Sequence, residues 1–237
     1  MTAGLLRSLH VPGTPLVLPN AWDPGTAKLV VEAGFPVVAT SSAAVAESLG
    51  YPDHQGAPAA EMFAAATRIA RAVDVPVTVD AESGYGLPAA EFAERLAETG
   101  AVGCNLEDTD HAAGGLVPVT RQAEYLAAVR AAAPELVINA RVDVFLGATD
   151  QEAVFDEAVE RARAYVAAGA DCVYPILVRA GLLPAFADAV GAPVNVTLLP
   201  GTTIAELASA GAARISLAAG LWRLVRTTLR ERLANLT

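Results

Sequence analysis

Val75-Pro76-Val77-Thr78-Val79-Asp80-Ala81-Glu82-Ser83-Gly84-Tyr85-Gly86 is the stretch that decides the fold. Its first half is an apolar run, the pattern of a strand buried on both faces. Its second half leaves the core through Asp80 and Glu82, turns at Gly84-Tyr85-Gly86 and meets Pro88, which opens a helix. A strand, a polar turn and a helix make up most of one βαβ unit. The complementary half recurs along the chain: an alanine-rich helix ends in glycine and a short apolar strand follows. Gly34, Gly100, Gly169 and Gly211 each stand between such a helix and such a strand. Glycine there supplies the left-handed residue that ends a helix.

Working outward, eight strands are expected, at 15–19, 37–40, 77–80, 103–107, 136–141, 172–175, 194–196 and 214–216. Strands that alternate with helices on this scale imply right-handed crossovers and a parallel sheet. Eight such units in 237 residues fit one closed (β/α)8 TIM-type barrel. An open doubly wound sheet is the runner-up, but no Gly-x-Gly-x-x-Gly follows the first strand and no Walker sequence is present. No Pro/Gly/Ser-rich linker divides the chain, so residues 1–237 read as one domain, with a C-terminal helix at about 218–235. Leu221, Leu224, Val225, Leu229, Leu233 and Leu236 share a broad side of that helix, for packing on the barrel or on a partner subunit.

Composition narrows the function classes. The chain is 54% hydrophobic and carries 16 Lys and Arg against 26 Asp and Glu, a net charge of -10. A nucleic-acid partner, which needs a basic surface, is not expected. Nor is a membrane, because glycine, proline or charge breaks every apolar run well short of a span. The N-terminus carries no signal-peptide pattern, and Cys104 and Cys172 lie in apolar strands as reduced, buried thiols. The expected location is the cytoplasm. The single lysine, Lys28, lies inside the first helix, so imine chemistry has no nucleophile. His10, His54 and His111 share no helix face or tight spacing, which argues against a histidine zinc site.

In a barrel the chemistry sits where the strands end. Polar residues gather there: Asn20, Thr40-Ser41-Ser42, Asp80 and Glu82, Glu107 and Asp108, Arg141 and Asp143, Asn195 and Thr197. One strand-end acid alone reads as a helix cap. Asp80 and Glu82 two residues apart, with Glu107 on the next strand, repel one another unless a cation lies between them. All-oxygen surroundings suit a hard ion, Mg²⁺, with Mn²⁺ as a possible substitute.

The ordered series Asp80-x-Glu82-x-Gly84-Tyr85-Gly86, Leu106-Glu107-Asp108 and Ala140-Arg141-Val142-Asp143 resembles the isocitrate lyase/phosphoenolpyruvate mutase superfamily. Ser41-Ser42 followed by Ser48-Leu49-Gly50-Tyr51-Pro52-Asp53 adds to the resemblance, which runs from about Asn20 to Leu217. It implies Asp80 as the carboxylate nearest Mg²⁺, with Asp53, Glu82 and Glu107 acting through bound waters. It implies the backbone N–H groups of Ser41 and Ser42 as a cradle for a carboxylate or phosphonate oxygen. Arg141 is then the carboxylate clamp and Asn195 a further substrate contact; an ion pair of Arg141 with Asp143 or Glu107 is the structural alternative. The family's lyases carry Lys-Lys-Cys-Gly-His in the loop after strand four, and its mutases a Lys and an Asn. Here residues 108–116 hold neither Lys, Cys nor Asn, and His111 or Asp110 is left as the candidate proton-transfer group. The candidate catalytic set is therefore Asp53, Arg141 and His111.

The resemblance implies a Mg²⁺-dependent lyase or hydrolase that cleaves a C–C bond of a small 2-oxo or hydroxy carboxylic acid through a metal-stabilised enolate. The alternatives are a P–C bond mutase or hydrolase of phosphonopyruvate type, and a catalytically silent barrel that binds a 2-oxo acid. A small carboxylate substrate and a homo-oligomer, dimer or tetramer, are the expected partners.

Overall fold

The computed structural model describes residues 2–236. Its strands are β1 (Leu16–Leu18), β2 (Asn20–Ala21), β3 (Val38–Thr40), β4 (Val77–Asp80), β5 (Gly103–Glu107), β6 (Val137–Val142), β7 (Cys172–Pro175), β8 (Asn195–Thr197) and β9 (Arg214–Ser216). The helices are α1 (Ala3–Ser8), α2 (Pro24–Glu32), α3 (Ser42–Leu49), α4 (Ala59–Ala70), α5 (Ala89–Glu98), α6 (Val119–Ala132), α7 (Phe155–Ala167), α8 (Leu183–Val190), α9 (Ile204–Ser209) and α10 (Gly220–Ala234).

Every strand pairing within the sheets is parallel. Strands β2 to β7 form one sheet in chain order, and β1, β9 and β8 form another. A parallel bridge between Val173 and Val194 joins β7 to the chain entering β8. At the other seam β1 and β2 are one stave interrupted at Pro19, which has no N–H to give to the ladder. The circuit closes, and the molecule is an α/β (β/α)8 barrel. The expected strand at 15–19 is thus split, 136–141 is shifted one residue onward to β6, and 194–196 likewise to β8.

Two apolar layers hold the barrel. The larger lies between staves and helices, where residues such as Val38, Val79, Leu106, Ile138 and Ile215 meet the helices' buried faces. The smaller fills the barrel's lower interior with Leu6, Leu16, Leu18, Val37, Ala39 and Val137. Leu6 comes from α1, which plugs the end where the strands begin. The fit is tight: a Cβ on Gly103 would stand 2.7 Å from Leu6 Cδ2 and 3.0 Å from the Val137 carbonyl oxygen. The glycines after the alanine-rich helices all take positive φ, as their spacing predicts: Gly34, Gly100, Gly169 and Gly211.

Of the two expected roles of the last helix, packing on the barrel is not the one seen in the single chain. α10 buries none of its residues, and Leu224, Val225, Leu229, Leu233 and Leu236 are exposed rather than packed on the barrel. It is held at its start, where Trp222 meets the Trp22 ring at 5.1 Å and donates to Glu47 at 2.8 Å. Among the described residues no helix is long and apolar enough to cross a membrane.

Candidate active site

The strands end around a cavity of about 820 Å³. Ser41, Ser42, Asp53, Asp80 and Arg141 line it, from three different staves or the segments after them. This convergence follows from strand parity: side chains two apart on a stave face the same way. Asp80 follows Thr78, Glu107 follows Asn105 and Arg141 follows Asn139, each pair pointing into the barrel.

Asp80 is the best placed anion. Its Oδ2 accepts the Ser42 N–H at 3.0 Å, while its buried Oδ1 has no partner. The Ser42 end of the expected backbone cradle is therefore taken up by Asp80. Ser41 caps α3, its Oγ accepting the Ala44 N–H at 3.5 Å. Glu82 is sealed beside this pair, with Oε1 unpartnered and Oε2 accepting the Gln55 N–H. Burial, then the charge of Asp80, pushes the Glu82 carboxyl up to about 8. The contact from Gln55 draws the loop that carries Asp53 over the end of β4.

Arg141 is held from both sides. It pairs with Glu107, and Asp143 Oδ1 and Oδ2 accept from Nε and Nη2 at 2.6 and 2.7 Å. Burial pulls the guanidinium down, but Glu107 and Asp143 outweigh it and keep Arg141 well above its ordinary value. Both ion pairs anticipated as the structural alternative are thus present, yet Arg141 still lines the cavity. Nε and Nη2 are occupied; Nη1 is left to face a ligand. A fully buried Asp108 steadies this wall, accepting Tyr165 Oη at 2.6 Å, Arg161 Nη1 at 3.2 Å and the Asp143 N–H at 2.9 Å.

The remaining candidate residues are placed elsewhere. Glu107 is buried behind the cavity wall between Arg141 and His111. Burial pushes Glu107 up, against the pull of both partners. His111, raised chiefly by its hydrogen bond to Glu107, lines a separate hollow of about 260 Å³. Its ring stands 5.4 Å from that of His54, which lines the main cavity. Asn195 is sealed below the floor with both amide ends unpaired, and Thr197, two residues on, forms the wall in its place. Sequence reading passed over Asn105, which also lines the cavity; its parity with Glu107 was the available signal.

Among the described residues no group of three His, Cys, Asp or Glu side chains is poised to hold one ion. The donor set still suits Mg²⁺, an ion that keeps several waters and takes one or two carboxylates. Asp80 Oδ1 and Glu82 Oε1 are buried hard-oxygen donors without partners.

Residues 6–237 match the Phosphoenolpyruvate phosphomutase family. The chain belongs to the isocitrate lyase/phosphoenolpyruvate mutase superfamily. It is 36% identical over 182 residues to the 2-methylisocitrate lyase of Bacillus subtilis (strain 168), spanning 73% of this chain and 59% of that one. An uncharacterised protein of Mycobacterium tuberculosis (strain CDC 1551 / Oshkosh) is 35% identical over 211 residues, 89% of this chain and 80% of the relative. The crystal structure of a Burkholderia cenocepacia J2315 protein, provisionally named a phosphonomutase, superposes with a TM-score of 0.94 at 41% identity. It covers 98% of this chain and 99% of that chain.

Proposed function

We propose that this superfamily member is a Mg²⁺-dependent lyase that cleaves a C–C bond in a small 2-oxo or hydroxy carboxylic acid. The observation that carries the reading is the pairing of opposites on one cavity wall. Asp80, with an unpartnered carboxylate oxygen, and Arg141, a guanidinium that retains a free donor edge, line the same cavity, and the unpartnered Glu82 oxygen is buried beside Asp80. A cation and an anionic substrate together satisfy both. The similarity to a named 2-methylisocitrate lyase supports the same class.

Asp80 and Glu82 would hold the ion, with Asp53 and Glu107 reaching it through water. Once bound, Mg²⁺ would supply Lewis-acid stabilisation of the negative charge that develops as the bond breaks. Arg141 Nη1 binds the substrate carboxylate, and the Glu107 and Asp143 contacts fix its orientation. Asp53 is carried on a loop held by Gln55 and closes the site from above. His111, anchored by Glu107, is the proposed proton carrier in a loop that lacks the lyases' cysteine.

The test is proton and phosphorus NMR of the protein with Mg²⁺ and oxaloacetate, 2-methylisocitrate, isocitrate or phosphonopyruvate, each repeated with a chelator. Chelator-sensitive consumption of a carbon substrate is expected. Consumption of phosphonopyruvate alone would replace this reading with P–C bond chemistry. With His111→Ala, turnover is expected to fall by about tenfold or more; unchanged turnover removes His111 from the mechanism.

A further inference from the structure

Beneath the cavity floor the barrel interior holds an unusual group. Arg214 on β9 is 1% exposed and forms no ion pair among the described residues. A buried guanidinium normally has a carboxylate beside it, because an unpaired buried charge is costly. Here its hydrogen-bond partner is a neutral amide: Arg214 Nη2 donates to Asn105 Oδ1 at 3.0 Å. Nε and Nη1 of Arg214 have no partner. Asn139 Nδ2 donates to the same Asn105 oxygen at 2.8 Å.

Asn105 thus accepts two hydrogen bonds from below at one atom. Guanidinium is a donor only, so an inverted amide would set N–H against N–H. The orientation is fixed: Oδ1 points down to Arg214 and Nδ2 is left for the cavity, which Asn105 lines. Nδ2 has no acceptor within the protein, yet it is absent from the sealed, unpaired atoms of this layer, which include Thr78 Oγ1 and both ends of Asn195. A cation on the carbonyl side also polarises the amide and strengthens its N–H as a donor. Asn105 is the register partner of Asp80 on the adjacent stave, so this donor stands beside the foremost candidate metal carboxylate.

We propose that Asn105 is a substrate contact that donates from the cavity floor to an anionic oxygen of the bound acid, and that Arg214 is the positioning residue that locks and polarises it. The inference rests on reading the cavity as a site for an anionic substrate. It adds a second recognition element, from below, to the Arg141 clamp at the side. The preferred ligand is then one with anionic or enolate oxygens on two adjacent carbons.

The probe is oxalate, a planar dianion of that shape, titrated calorimetrically into the whole protein with Mg²⁺, alongside thermal melts. Asn105→Asp keeps the shape and gives Arg214 a counter-ion, but replaces the donor with a negative charge. Affinity is expected to fall on the order of tenfold or more while Tm stays level or rises. Arg214→Met removes the lock and leaves an apolar side chain of similar length. Affinity is expected to fall about threefold or more, without a matching fall in Tm. Oxalate affinity of Asn105→Asp within about twofold of wild type, while Arg141→Lys loses binding, overturns the inference and leaves the site reading intact. Losses of affinity that track losses of Tm in both variants overturn it too, since they mark a structural role. Failure of the wild-type protein to bind oxalate overturns the site reading, and this inference with it.

Discussion

The two ends of the barrel are built to opposite rules. Where the strands begin, the rim is tied by ion pairs gathered on one carboxylate. Asp171 accepts Arg7 Nε at 2.7 Å, Arg130 Nη2 at 2.6 Å and the Ile138 N–H at 2.8 Å. Arg130 spends its other donors on the carbonyls of Gly169, Pro134 and Leu136. Leu6 fills the opening. Where the strands end, Asp80 and Glu82 keep unpartnered oxygens. Among the described residues, the six non-glycine residues with positive φ also lie at this end: His54, Gln55, Glu82, Tyr85, Leu177 and Ala218. Left-handed backbone outside glycine costs about 1 to 3 kcal/mol per residue and persists where the surroundings enforce it. One end has its rim tied by ion pairs and holds the fold; the other is strained and open to a ligand.

If that division is right, Arg141→Ala produces the largest effect, and it falls on function. Turnover is expected to drop about a thousandfold, on the order of 4 kcal/mol of transition-state stabilisation, measured as kcat/KM on the substrate found by NMR. Asp171→Ala is the converse. It strands Arg130 and Arg7 and is expected to cost about 3 to 4 kcal/mol in denaturant unfolding, with kcat unchanged. A large fall in kcat would show that the two ends are coupled.

Titration sharpens the comparison further. His10 is buried at the lower end with Nδ1 bonded to the Leu6 carbonyl oxygen at 2.8 Å, and burial, then Arg214, pushes it down to about 4. A base with a depressed folded pKa contributes stability above its unfolded pKa, near 6.5, and loses it as pH falls through about 4. Wild type should therefore lose about 2 to 3 kcal/mol between pH 7 and pH 4 that His10→Gln does not lose. Glu82 at the upper end has the opposite sign. Its folded pKa is raised to about 8 from 4.5, so its contribution is full below 4.5 and is lost as pH rises through about 8. Mg²⁺ binding should therefore release close to one proton at pH 7, read from calorimetry in buffers of different ionisation enthalpy, and Glu82→Gln should abolish the release. This is the smallest effect, and proton release unchanged in Glu82→Gln would assign the proton to another group.

The strain and the pairing were not equally legible beforehand. The acids at 80, 82 and 107 announced themselves because each follows an apolar run, and burial at a strand end leaves a carboxylate few places to go. Asn105, Asn139 and Arg214 lie inside strands. There the pattern of polar and apolar residues does not say whether a polar group finds its partner across the barrel. Asn195 shows the same gap: expected where its strand ends, it instead opens β8 and lies sealed below the floor, and Thr197 at the end of that strand reaches the wall. For α10 the leucine spacing marks a helix with an apolar side, but only the tertiary structure shows that the helix touches the rest of the chain at its start, through Trp222, and buries none of its residues.

By itself the sequence determined the alternation of strands and helices, the glycines that end those helices and the acidic end of β4, because these depend on local sterics and on solvation at short range. The tertiary structure decided which carboxylates keep a free oxygen, that Arg141 is shared between Glu107 and Asp143, and that Arg214 reaches Asn105 across 109 residues of chain. Those outcomes depend on barrel closure and stagger, which bring side chains from different staves to one level, and no local pattern encodes that meeting.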